Sequence, residues 1–111
     1  MEKIVEQTLL YDFYGELLTE HQRRIYEDVV LNDYSLSEVA EVLGISRQGV
    51  HDNVKRCSKI LQDYEDKLHL VEKFVHLRSQ VGQIRKIAEE QAVHPAMREI
   101  EEIAATILEE L

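Results

Sequence analysis

Residues 35–59, SLSEVAEVLGISRQGVHDNVKRCSK, decide the fold. Ser35 stands where a helix wants an N-cap oxygen, and Glu38, three residues on, closes a capping box. Val39, Ala40 and Leu43 then make one apolar face at helical spacing. Gly44 follows, where a residue without Cβ enters left-handed backbone at least cost. Ile45 is placed to plug the turn against the core, and Ser46 to cap a second helix. Val50, Val54 and Cys57 form the inward face of that helix, at steps of four and three. Small Ala40 lets the two helices cross closely. Capped helix, glycine turn, apolar plug and second cap at these offsets predict a helix-turn-helix, whose second helix is the one exposed for reading a groove.

Working outward, Thr19 and Gln22 make another capping box, opening a helix to about Leu31 with Ile25 and Val29 inward. A first helix runs from about Ile4 to Leu18, with Leu10, Phe13, Tyr14 and Leu17 at helical spacing as core. Asn32-Asp33-Tyr34 is a short polar connection. Downstream, Val50, Val54, Cys57, Leu61, Tyr64 and Leu68 continue in steps of four and three. The phase resets near His69, and Leu70, Phe74, Leu77, Val81, Ile84 and Ala88 repeat the steps. Two such seams suit either an antiparallel hairpin within the chain or a homodimer interface, and in so small a chain they favour a dimer. Leu70, Phe74, Leu77, Val81 and Ile84 are the candidate dimer residues. His94-Pro95 ends the fifth helix. Met97, Ile100, Ile103, Ile107 and Leu111 mark an acidic amphipathic last helix.

No stretch reads as a strand. The expected fold is all-α: a tri-helical helix-turn-helix core from about Thr19 to Leu61, an extended second helix and a C-terminal helical arm. Residues 1–68 are the expected DNA-binding region and 69–111 the arm, a candidate dimerisation element.

The 111 residues suit one domain with an appended arm. The formal net charge of −9 is the wrong sign for a non-specific nucleic-acid coat. It is unevenly spread: −5 over residues 1–34, +1 over 35–61, +1 over 62–88 and −6 over 89–111. A polyanion would tolerate only the middle, which holds the helix-turn-helix. A single cysteine, Cys57, cannot form an internal disulfide, which fits a reducing cytosol and plain packing. Neither a signal peptide nor a membrane span is expected, and the expected location is the cytoplasm.

No nucleophile motif, glycine-rich phosphate loop, CxxC or HExxH pattern occurs. His69 and His76 are seven apart without a third ligand nearby, and adjacent pairs such as Glu89-Glu90 point apart on a helix. No catalysis, metal or cofactor is expected. What remains is the outward face of the second helix. Arg47, Gln48, His51, Asp52 and Lys55 face away from Val50 and Val54. Arg47 can fork onto guanine and Gln48 can pair with adenine in a major groove. Asp52 repels phosphate, yet it can accept from a cytosine amino group or orient Arg47 or Lys55. Ser46 or the first helix amides can hold a phosphate, with Arg56 and Lys59 as further cations. Gly49 costs helix stability, which close approach of a ligand or neighbouring helix would explain.

EVAEVLGISRQGVHDNVKRCSKIL resembles region 4 of bacterial sigma factors. More specifically, DFYGELLTEHQ, DYSLSEVAEVLGISRQGVHDNVKR and YEDKLHL resemble the YlxM family of small bacterial proteins, over about residues 10–75. That family is encoded beside genes for signal recognition particle components. The resemblance implies a DNA-binding regulator connected with the targeting pathway, with Arg47, Gln48, Asp52, Asn53 and Lys55 inheriting the reading role. Gly49 stands where Ala is usual and His51 where an aromatic is common. Expected partners are double-stranded DNA and a second copy of the chain. The alternative is a non-catalytic adaptor for protein or RNA components of the particle.

Overall fold

The computed structural model describes residues 2–111 and is helical almost throughout, with no strand among them. The chain divides into two compact units, Met1–His69 and Leu70–Leu111. The first contains α1 (Lys3–Tyr14), α2 (Glu20–Tyr26), α3 (Leu36–Leu43) and α4 (Arg47–Leu68). The second contains α5 (Leu70–Glu90) and α6 (Pro95–Glu110).

The three caps expected from sequence are all formed. Thr19 and Ser35 each accept from the backbone three residues on, while Gln22 and Glu38 reach back to close full capping boxes. Gly44 ends α3 in left-handed backbone, at φ 68°, and Ser46 caps α4. These groups satisfy amides that the first turn of a helix leaves without partners. The core of this unit is Ile25, Val39, Ala40 and Val50, with Val29, Leu36, Leu43, Ile45 and Val54 packed against it. Ile45 therefore plugs the turn as its position predicts. Val50 and Ile25 are fully buried, and truncating either to Ala would cost about 2–3 kcal/mol.

Helix α1 departs from the expected Ile4–Leu18. It closes at Tyr14 and tightens into a 3₁₀ turn, Gly15–Leu17. The Tyr11 ring lies over Gly15, where a Cβ would stand 2.9 Å from it. That ring stacks on Tyr26 with centroids 5.4 Å apart. The tighter turn shifts the phase, so Leu18 enters the core while Leu17 is 56 % exposed. Leu10 and Tyr14 are buried as expected, but Phe13 lies on the exposed side. The helix begun at Glu20 does reach Leu31, through a π-helical turn at Glu27–Leu31 closed by Asn32 N–H on the Glu27 carbonyl.

The long helix α4 keeps Val50, Cys57 and Leu61 fully buried, with Val54 and Tyr64 half-buried and Leu68 exposed. Its outer half receives α1: the Tyr14 hydroxyl donates to Glu65 Oε1 at 2.6 Å, and Tyr14 stacks on Tyr64 at 5.9 Å. His69, at φ 55°, ends α4 at the predicted break.

In the second unit α5 and α6 form an antiparallel hairpin across a short connection at residues 91–94. Helix α5 stops at Glu90, earlier than the expected His94-Pro95, because Pro95 instead opens α6 at its first position. Proline is well placed there, since its missing N–H would have had no partner. Val71, Val81, Ala88 and Ala104 are buried, and Phe74 is half-buried. Leu70, Leu77 and Ile84 are 41–49 % exposed. The five candidate dimer residues thus share one stripe of α5 but differ in exposure along it. No helix among the described residues is long and apolar enough to cross a membrane.

Candidate nucleic-acid interface

With Val50, Cys57 and Leu61 turned to the core, helical geometry sends Gln48, Asp52, Lys55 and Lys59 to the opposite side, in steps of four, three and four. All four are exposed, as are Arg47, His51 and Arg56 around them. Asp52, Lys55, Arg56 and Lys59 line a shallow surface depression. Gln48, Asp52, Lys55 and Lys59 are therefore brought onto one exposed face by α4 alone, with Arg47 and Arg56 exposed on opposite flanks of it.

Several of them are already engaged with one another. Gln48 Nε2 donates to Asp52 Oδ1 at 3.0 Å, and His51 Nδ1 lies 3.7 Å from the same oxygen. Lys59 Nζ is 3.5 Å from Asp63 Oδ2. These are exposed contacts worth little each, and a ligand can exchange them. Arg47, Lys55 and Arg56 have no ion-pair partner among the described residues.

Two residues have other roles than the sequence suggested. Asn53 is half-buried, and its Nδ2 donates to the Gly49 carbonyl at 2.9 Å, so its amide is turned onto its own helix. Gly49 is the third residue of α4, in close contact with the cap. Its N–H donates to Ser46 Oγ at 2.9 Å, and a Cβ would stand 3.1 Å from that oxygen. The close approach is thus Ser46 itself rather than a neighbouring helix. Ser46 Oγ accepts this bond and keeps its own proton to donate to a ligand oxygen.

The structure adds a contributor that sequence reasoning missed. A cleft of about 530 Å³ separates the first turns of α1 from α4, lined by Lys3, Glu6 and Gln7 on one side and His51, Lys55 and Lys59 on the other. Its floor is Leu10, Tyr26 and Val54. No local pattern announces this pairing, because it follows from how α1 packs. Tyr26 is fully buried there, and burial pushes its phenol up. Cys57 is fully buried with its thiol likewise raised by burial, and its Sγ sits 3.9 Å from the Gln22 carbonyl. That is the environment of an inert packing thiol.

Comparison with known proteins agrees with this architecture. A family profile for YlxM / p13-like helix-turn-helix proteins, UPF0122, matches residues 1–104. A UPF0122 protein of Thermoanaerobacter sp. (strain X514) is 47% identical over 106 residues, covering 92% of this chain and 91% of its own. One from Caldanaerobacter subterraneus subsp. tengcongensis is 53% identical over 79 residues, covering 71% of this chain and 68% of its own. A third, from Bacillus thuringiensis (strain Al Hakam), is 41% identical over 103 residues, covering 92% and 94%. The similarity therefore extends through the C-terminal hairpin, well past residues 10–75. On its helix-turn-helix geometry and this end-to-end similarity, the chain belongs to the UPF0122 family of YlxM / p13-like helix-turn-helix proteins.

Proposed function

We propose that the protein is a homodimeric DNA-binding regulator of transcription, non-catalytic, reading a major groove with the first half of α4. One observation carries the reading: Gln48, Lys55 and Lys59 form an exposed stripe with Arg47 and Arg56 beside it, in a chain otherwise strongly acidic. A surface of donors and cations on an isolated helix face meets base edges and phosphates at once. Arg47 and Gln48 at the helix start serve as the base readers. Lys55, Arg56 and Lys59 contact backbone phosphate, and the capped N-terminus at Ser46 seats one more. Asn53 stiffens the helix through Gly49 rather than reading bases. Two copies would set two such helices on one duplex. The link to signal recognition particle targeting rests on the family resemblance, and it makes genes of that pathway the natural targets.

A second reading is favoured by the bond that Gln48 makes to Asp52 and by the charge of −9. In that reading the same fold is an adaptor docking a protein or RNA of the targeting machinery. Duplex-DNA affinity measured against salt separates the two. With three to four phosphate contacts per protomer, log K falls with log salt at a slope of about −3 per bound protomer. Binding too weak to titrate at about physiological salt, in folded protein, would discard the DNA reading.

A further inference from the structure

The cleft between α1 and α4 combines two chemistries in about 530 Å³, a size typical of small-molecule sites. Its floor is apolar: Leu10 and Tyr26 are buried and Val54 is half-buried. The Tyr11 ring, stacked at 5.4 Å, fixes Tyr26 in that floor. Its walls are cationic, with Lys3 on the α1 side and Lys55 and Lys59 on the α4 side. Among the described residues Glu6 is the one carboxylate lining it, so the cleft is net positive in a chain of net charge −9. A concave site with low-dielectric walls focuses such a field. Lys3 and Lys55 make no ion pair among the described residues. Lys59 makes an exposed one to Asp63 at 3.5 Å, which an incoming anion can exchange. Gln7 and Gln62 add side-chain amides, each able to donate and to accept. By contrast, a hollow of about 260 Å³ beside α3 sets Arg24 against Asp28 and Glu38 and has no positive excess.

We propose that this cleft binds a small planar organic anion of mononucleotide type, an aromatic ring carrying one phosphate. The apolar floor takes ring surface out of water, a gain that bare inorganic phosphate could not make. Lysine ammonium groups are mobile point charges that can meet phosphate oxygens in many orientations. The glutamine amides match the donor and acceptor edge of a base. Glu6 favours a ligand with a single anionic end, because a strand of repeating phosphates would meet its carboxylate. Lys55 and Lys59 also line the depression on the reading face of α4. A bound anion therefore occupies cations that duplex phosphate needs, so ligand and DNA should weaken each other's binding reciprocally. That antagonism rests on the proposed DNA reading; the ligand site itself does not.

Fluorescence anisotropy of N-methylanthraniloyl-AMP titrated with the full chain, without DNA, tests the site. Half-saturation is expected at about 10–100 μM. The phosphate-free N-methylanthraniloyl-adenosine should bind at least about tenfold more weakly. Lys3→Glu, outside the reading stripe, should weaken the nucleotide at least about tenfold. Its helical circular dichroism should be unchanged, because an acid in the first turn of α1 suits the helix dipole. Gln7→Ala, which leaves the charge as it is, should weaken the nucleotide about threefold and tests the site even if Lys3→Glu frays the helix. Lys86→Glu, the same charge change on exposed α5, should have no effect. No saturation below about 1 mM, or equal affinity in the wild type and both cleft variants, overturns the proposal. Unlabelled AMP should also raise the duplex Kd. Nucleotide binding without that shift overturns the antagonism alone, and a chain that binds the nucleotide but no duplex overturns the DNA reading alone.

Discussion

Gln48 Nε2 donates to Asp52 Oδ1 at 3.0 Å, one turn apart on the exposed face of α4. Asp52 thus occupies a donor that a base edge would need, and it adds a negative charge where phosphate must approach. Asp52→Ala should raise duplex affinity about threefold to tenfold at low salt, the size of one exposed charge removed near a polyanion. Fluorescence anisotropy with a labelled duplex measures it. Weaker binding in Asp52→Ala would mean instead that the carboxylate itself reads a cytosine amino group.

Ser46 and Gly49 form a second coupled pair. Ser46→Ala removes the cap of α4 and should cost about 1 kcal/mol. Gly→Ala within a helix ordinarily gains up to about 1 kcal/mol, and less in the first turn, where Gly49 stands. Here the new Cβ would press on Ser46 Oγ, so the gain should nearly vanish. In the Ser46→Ala background that gain should return, giving a coupling energy of roughly 0.5–1 kcal/mol in a double-mutant cycle. Urea unfolding of the four proteins checks it, and strict additivity would contradict the account.

The Tyr11 hydroxyl donates to Glu27, and its ring stacks on Tyr26. Burial first, then the Glu27 carboxylate, push the Tyr11 phenol up to about 12. Unfolded, it titrates near 10, so the folded state holds the proton more tightly. That contribution is complete below pH 10 and is lost as pH rises from about 10 towards 12. Tyr26, raised by burial, acts in the same sense. Thermal melts from about pH 8 to about pH 11 should fall steeply above pH 10 in the wild type and less steeply in Tyr11→Phe. Parallel curves would show that Tyr11 plays no part in the alkaline loss.

Features written in adjacent residues were legible in the sequence. Capping boxes at Thr19 and Ser35, the left-handed Gly44 and the period of Val50, Cys57 and Leu61 each depend on a few neighbours, and local chemistry decides them. What escaped depends on partners far along the chain. The 3₁₀ turn after Tyr14 accompanies the stacking of Tyr11 on Tyr26, and Leu18 rather than Leu17 lies inward. The cleft that brings Lys3 beside Lys55 needs α1 to be docked first. Asn53 looked like a reader by position, yet its helical angle lies close to the buried side and its amide bonds Gly49. In the hairpin, period alone does not separate the buried Val81 and Ala88 from the exposed Leu77 and Ile84 on the same stripe.

Sequence reading by the exposed face of α4 can be put to selection of the purified full chain against random duplex DNA at about physiological salt. An enriched motif with two-fold symmetry is expected, lost in Arg47→Ala, whose fold should be intact because that side chain is exposed. No enrichment from folded wild-type protein, or a motif unchanged by Arg47→Ala, would contradict it.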